Sequence, residues 1–572
     1  MKRFRRILAA ILVFATVLPL VCTAAPRAAL AAESYKLYFG PQAKTTFKNT
    51  AVKPLMTRTR VYEYKSYRHY VFLPPTWDHT KMKVYMTGIS SVTLNGKKYK
   101  NGDNISLPLN KSIRLQTARG TSLTLIAMQS AKLPTMYITT ASKSWTKLHE
   151  SKDYREKGSM QLVNANGTVQ YSGGLEYIRI RGNSSAEKVK KPYQFKLSKS
   201  ASLCGMEKDK TYCLLANFLD PSNLRNKICL DIARYSGAYA YVPDAEFVDV
   251  YLNNDYRGVY LLTEKNEIDK DRLNITNLEK KNEKLNGKEK LPQFGRVGKN
   301  KVDPGTYKYY KLPQEPEDYT GGYLVLLDHP AYYTQEASGF VSRQGQPFTI
   351  QEPKYASKKQ VEYISSVVQH AEDALFSKSG KDPATGKHYT ELIDLNTMVH
   401  RYLQAEVVND HDGQRPFIYK DSDKVDTKIY FGPVWDQDST FGASHARRNA
   451  NEVRIYKKSS GSKYFWFPAA YQHSDFRKAV QAAYRKTYVP AMNILLGKAK
   501  DPKGVLKSLD QYAAAIKASA YMDLARWPIN TRHVYKGMNT HSGNTLEESV
   551  QFIKTYIAKH KAVLDKLYGV RK

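Results

Sequence analysis

The chain has 572 residues, 42% of them hydrophobic, with 89 Lys and Arg against 53 Asp and Glu. That length is too great for one core and predicts two or three domains of ordinary globular composition. A formal net charge of +36 favours polyanionic neighbours such as an anionic cell-wall polymer or an acidic protein, but the bases are spread along the whole chain with no compact basic arm, which speaks against nucleic-acid binding.

The chain opens like a targeting signal. Lys2, Arg3, Arg5 and Arg6 precede an uncharged run from Ile7 to Ala25, and Ala29-Leu30-Ala31 offers small residues for cleavage. This predicts a secretory signal peptide over residues 1–31, with an uncleaved anchor as the competing reading. Its removal takes away five positive charges and leaves a net +31. No later stretch is apolar enough to span a membrane, so the expected location is outside the cytoplasm. Cys204, Cys213 and Cys229 remain. An odd, low number predicts buried thiols and no disulfide framework.

Residues 32–132 read as all-β. Val61 to Leu73 is a Tyr- and Val-rich strand closed by Pro74-Pro75. Val92-Thr93-Leu94, Asn95-Gly96 and Lys97-Lys98-Tyr99 spell a hairpin. A small sandwich is expected, without a catalytic cluster, serving as a spacer or binding module.

From Leu133 the pattern is mixed. Leu175 to Arg181 and Tyr193 to Leu197 alternate as strands, with Phe195 and Leu197 on one face and Gln194 and Lys196 on the other. Asp220-Pro221 reads as an N-cap followed by Pro at the first helical position. Phe247–Leu252 and Gly258–Glu264 form a hairpin across Asn253-Asn254-Asp255. Residues 278–318 are rich in Lys, Gly and Pro and read as a long exposed loop. Ser357–Phe376 is an amphipathic helix with a Ser357/Gln360 capping box. A second helix over about 395–408 leads into Asn409-Asp410-His411-Asp412-Gly413. The tail is helical, with Thr545/Glu548 at one end and Gly569 at the other.

The stretch KIYFGPVWDQDSTFG, from Lys428 to Gly442, is a strand that ends in alternating carboxylates, Asp436 and Asp438. Like charges on one face are unfavourable unless a cation sits between them. Phosphoryl transfer needs a cation on the phosphates, an acid at the acceptor hydroxyl and carboxylates for Mg²⁺. Lys196, the Asp410/Asp412 loop and Asp436/Asp438 supply those types. By spacing alone, solvated turn residues are the simpler reading.

The wording of the motifs is more specific. Arg181-Gly182-Asn183-Ser184-Ser185 with Lys191-Pro192-Tyr193-Gln194-Phe195-Lys196-Leu197 resembles the spore-coat CotH kinase family. So do Asp220 with Leu224-Arg225-Asn226, Phe247-Val248 with Tyr251-Leu252-Asn253, Tyr256-Arg257-Gly258-Val259-Tyr260, and Gly432-Pro433-Val434-Trp435-Asp436-Gln437-Asp438 with Phe441-Gly442. The resemblance spans roughly residues 133–450, with a weaker helical continuation over 451–572.

It implies an α+β chain: an atypical protein-kinase-like catalytic domain over 133–450, preceded by the 32–132 sandwich and followed by helices packed upon it. It implies transfer of the γ-phosphoryl group of ATP, with Mg²⁺ or Mn²⁺, to Ser or Thr of secreted, envelope or spore-coat proteins. Lys196 resembles the strand lysine on the ATP phosphates. Asp436 and Asp438 resemble the metal-binding acids, with Asn409 beside them. Asp412 or Asp410 resembles the catalytic-loop aspartate, and Gly413 after Asp412 favours the former. Arg181, Asn183 and Trp435 would shape the nucleotide side. Arg225 and Asn226 would orient their helix. Glu264 is either a hinge residue or a nucleotide-side acid. The alternatives are a basic coat scaffold with a degenerate site, and a kinase-fold enzyme that transfers a nucleotidyl or other group.

Overall fold

The computed structural model describes residues 35–570 except 45, 66, 118–121, 299, 411, 414, 444–448, 454, 456, 458–465 and 529–542. The predicted signal peptide and His411 lie outside the described residues. The architecture is mixed α+β, with several sheets and a helical C-terminal part. Among the described residues no helix is long and apolar enough to cross a membrane.

Residues 35–132 form a four-stranded and a six-stranded sheet. Alternate residues such as Leu37, Phe39, Val84, Leu115 and Leu125 point into one shared cluster. The Asn95-Gly96 hairpin is present, with both residues at positive φ (47° and 82°) as a two-residue turn requires. The run predicted as one strand is two: Tyr62–Lys65 folds back antiparallel on Arg68–Leu73, with Tyr62 opposite Tyr70. No Gly, Pro, Asn or Asp marks that reversal in the sequence. The cluster also takes in Tyr251 and Tyr256 from the following unit, and Phe72 meets Tyr256 at 4.8 Å.

Next comes a closed barrel. Thr135–Thr140, Glu156–Val163, Val169–Ile180, Tyr193–Ala201, Asp209–Leu215, Asp255–Glu264 and Ala245–Leu252 are neighbours in that order, and the last pairs in parallel with the first. Phe195 and Leu197 point into its interior, while Lys196 lies on the other face. Asn253 and Asn254, at φ 51° and 67°, turn the Ala245–Leu252 and Asp255–Glu264 strands in two residues.

A seven-stranded sheet comes after the barrel, ending in the neighbours Tyr323–Leu327, Phe417–Lys420 and Ile429–Phe431. One large core joins it to the Lys358–Phe376 and Leu395–Val407 helices and to the C-terminal Leu509–Arg526 and Leu546–Leu567 helices. The Ser357/Gln360 capping box and a left-handed Gly569 (φ 66°) stand as predicted.

Two further expectations are corrected. Asp220 does not cap the helix directly. The helix runs from Arg225 to Ser236, and residues 220–224 form a turn in which the Asp220 carboxylate accepts from the Ser222 and Arg225 backbone amides. The region 278–318 is not one long loop. It contains a Leu278–Asn286 helix, a short 3₁₀ segment and strands at Arg296–Val297 and Tyr307–Tyr310. The buried face of that helix is Leu278, Asn282 and Asn286. Its helical spacing was invisible to a search for aliphatics, because asparagines hydrogen-bonded to Gln360 and Gln314 replace them.

Candidate active site

The Leu395–Val407 helix is buried from Thr397 to Val407, and Asp394 caps it by accepting from the Thr397 amide at 2.7 Å. A helix so enclosed fixes the path of the acidic loop at its C-terminal end. Asn409 turns the chain at φ 48°, and the Asp410 amide bonds back to the Ala405 carbonyl at 2.9 Å. The second acidic loop is tied to the first. The Phe441 amide donates to the Val408 carbonyl at 2.7 Å. Gln437 donates from its amide nitrogen to Asp410 at 2.6 Å, and its backbone N–H reaches the Asn226 side-chain oxygen at 2.9 Å. Arg225, paired with Asp220, donates to the Thr440 carbonyl at 2.9 Å. Thus Asp220, Arg225 and Asn226, near one another in sequence, hold a loop more than two hundred residues away.

Four aspartates gather there. Asp410 is 1% exposed, and Arg401 lies 3.7 Å from it. Burial lifts its pKa to about 6 against the opposing pull of Arg401. Asp412 is more open and pairs with Arg415 at 3.0 Å. Asp436 adopts φ 58°, a left-handed conformation uncommon for any residue but glycine, and opens its carboxylate to the cleft. The protein around it, then the Asp412 charge, raise its pKa. Asp438 is pushed up to about 8 by burial first, then by Asp436, Asp220 and Asp412. Neither Asp436 nor Asp438 has an ion-pair partner among the described residues. Asp410, Asp412, Arg401, Arg415, Trp435 and Asp436 border a cavity of about 60 Å³. That admits a few waters or a hydrated ion, and is far smaller than a nucleotide pocket.

The other predicted residues are distributed around this centre. Trp435 is half-buried, and the Arg181 guanidinium lies over its ring at 4.8 Å, joining the barrel to the acidic loop. Gly182, at φ 86°, makes the turn after Arg181, and Asn183 accepts from Lys152 at 3.2 Å. Asn409 is buried. Its side-chain nitrogen donates to Tyr556 at 2.7 Å, and its side-chain oxygen has no hydrogen-bond partner. Lys196 pairs with Glu176 at 2.7 Å on the barrel and makes no ion pair with the four aspartates. Glu264 is 2% exposed and fully engaged by Arg272, Tyr241 and the Asp244 amide.

Sequence reasoning missed Arg401 and Arg415, the cations that touch the acids. Arg415 stands three residues after Asp412, a weak signal. Arg401 sits inside a helix read only for its apolar stripe. Also missed was the Lys190–Asp523 pair, at 2.7 Å and 0% exposed on both sides, through which the Leu509–Arg526 helix grips the barrel.

Against known proteins, the CotH kinase protein family matches residues 178–564. The chain belongs to the CotH kinase protein family. No curated protein matches it. The matched span takes in the C-terminal helices, which supply Tyr556 to Asn409 and Asp523 to Lys190.

Proposed function

We propose that the protein is an exported, metal-dependent ATP:protein phosphotransferase that modifies Ser or Thr of envelope or spore-coat proteins. In this reading the barrel and the seven-stranded sheet with its helices are the two sides of an atypical protein-kinase fold, and residues 35–132 are a sandwich module. The observation that carries it is Asp436 and Asp438: two carboxylates held two residues apart in one loop, without an ion-pair partner among the described residues, each with a raised pKa although Arg415 and Arg181 pull that of Asp436 down. Maintaining such a pair is costly unless a divalent cation completes it.

The donor set suits Mg²⁺ or Mn²⁺. It is all oxygen: the carboxylates of Asp436 and Asp438, with the side-chain oxygen of buried Asn409, which has no hydrogen-bond partner, as the third donor of this reading. Among the described residues no three His, Cys, Asp or Glu side chains form a cage by themselves. Two carboxylates with phosphate oxygens and water completing the shell is the usual arrangement for Mg²⁺. When bound, the ion supplies charge neutralisation at the phosphates.

The chain's own residues do the rest. Asp412, the more open of the two loop acids, receives the proton of the acceptor hydroxyl, and Arg415 fixes its orientation. Asp410 is a positioning residue, clamped by Gln437 and Arg401. Arg181 and Trp435 bind the nucleotide side. Lys196, steadied by Glu176, approaches the phosphates from the barrel. Positioning and electrostatics supply the rate.

The test is intact mass of enzyme and a Ser-rich acceptor after incubation with ATP and Mn²⁺, for wild type, Asp436→Ala and Asp438→Ala. Phosphate-sized additions absent from both variants are expected. An AMP-sized addition would replace phosphoryl with nucleotidyl transfer. No addition, together with no Mn²⁺-dependent ATP binding, would leave a scaffold.

A further inference from the structure

Among its described residues the N-terminal module contributes nothing to the acid cluster, and its charge is unlike the rest. Residues 35–132 hold 17 Lys and Arg against 3 Asp and Glu, a net +14 in 98 residues. Residues 133–572 hold 67 against 49, a net +18 in 440 residues. Bases are about equally dense in both parts. What the module lacks is acids. Among its described residues one ion pair forms, Lys81 with Asp78 at 3.7 Å.

The four-stranded sheet gives this charge a defined face. Leu37, Phe39, Val84 and Met86 point inward. Their alternates Lys36, Tyr38, Lys83 and Tyr85 point outward, with Tyr38 directly opposite Tyr85. Exposed Arg58 lies across that pair, 4.8 Å from the Tyr38 ring and 5.9 Å from the Tyr85 ring. Gly40 makes this possible, because a Cβ there would run into the Thr57 carbonyl and push the Arg58 segment away. The guanidinium is therefore held in place by cation–π contact while its donors remain free of carboxylates.

We propose that this outer face is a docking surface for a linear phosphodiester polymer without bases, held by Lys36, Arg58 and Lys83. Charge complementarity selects a polyanion. A guanidinium fork fixed in advance suits phosphate oxygens and loses little freedom on binding. Proteins that take single-stranded nucleic acid stack its bases on free aromatic faces. Here Arg58 lies over the Tyr38 and Tyr85 rings, which favours a polymer that has no bases to stack. The inference does not depend on phosphotransfer.

The test uses the full chain and poly(glycerol phosphate), titrated at several salt concentrations. Lys36→Gln/Arg58→Gln/Lys83→Gln should weaken binding about tenfold or more, and should lower the slope of log K against log salt by about 2 to 3. Glutamine keeps the side-chain stems, and an unchanged thermal transition checks the fold. Lys97→Gln/Lys98→Gln/Lys100→Gln removes the same charge from an edge strand of the other sheet and should matter much less. Equal weakening by both triples would mean diffuse attraction and overturn the assignment. So would tighter binding of single-stranded DNA, or equal binding of polygalacturonate. Asp438→Ala should bind the polymer like wild type, so failure here is separable from failure of the kinase reading.

Discussion

The Asp436/Asp438 pair and the outer sheet face of the N-terminal module both hold like charges together with no ion-pair partner among the described residues, yet they respond differently. Asp436 opens to a narrow cleft and Asp438 is half-buried beside it, and the protein crowded round them together with their mutual repulsion raises both pKa values, to about 8 at Asp438. Lys36 and Arg58 are exposed and Lys83 is half-buried on an outward face, where water screens them from one another. Confinement in a cleft turns like-charge repulsion into a demand for a proton or a cation. Exposure leaves it as a standing field for a large partner. The first is a local site with steep effects per residue, the second a shallow one with additive effects.

The largest expected effect falls on the acids. Asp438→Asn should lower phosphotransfer by about 10²- to 10³-fold, in line with loss of a preorganised electrostatic group, while leaving the metal-free protein no less stable. The folded Asp438 keeps its proton above the pH at which the unfolded chain releases it. Its contribution to metal-free stability is therefore greatest below about pH 4 and falls as pH rises towards about 8. Thermal unfolding across that window should slope downward in wild type and less so in the variant; parallel slopes would break the comparison. Metal affinity has the opposite sign. Mn²⁺ must displace the proton, so binding followed by calorimetry should strengthen as pH rises to about 8.

Next in size is the contrast between a buried and an exposed arginine. Arg225 is fully buried against Asp220. Arg225→Ala strands that carboxylate and should cost about 3–5 kcal/mol in urea unfolding. Arg58→Gln should change stability by less than about 0.5 kcal/mol. Similar costs would mean that the two environments differ less than their burial indicates. Smaller still, Gln437→Leu removes a hydrogen bond to ionised Asp410. It should raise the pKa of that acid further and lower kcat about tenfold, with the acid limb of the pH–rate profile moved upward.

Much of this was legible in the chain. The Asn95-Gly96 hairpin, the Ser357 capping box and the two acidic loops were readable because each is local: a turn, a cap or a motif depends on neighbours within a few residues. The helix at Leu278–Asn286 was not, because its buried face is asparagine, and only distant Gln360 and Gln314 make burial of those amides tolerable. Lys196 and Glu264 show the same limit in the site. Their residue types allowed a role at the nucleotide, but which carboxylate or cation each one meets is a tertiary fact: Glu176 for Lys196, Arg272 for Glu264.

By itself, the sequence determined the family motifs, the order of the acidic loops and the scarcity of acids before residue 133, since these are matters of residue type and spacing. Only the tertiary structure decided that Arg401 and Arg415 are the cations at the aspartates, that Gln437 and Asn226 stitch the loops together, and that Tyr556 brings one tail helix to the acidic loop while Asp523 ties another to the barrel. The physical reason is that charge pairing and burial depend on distance in space, and the groups that set them here lie tens to hundreds of residues apart along the chain.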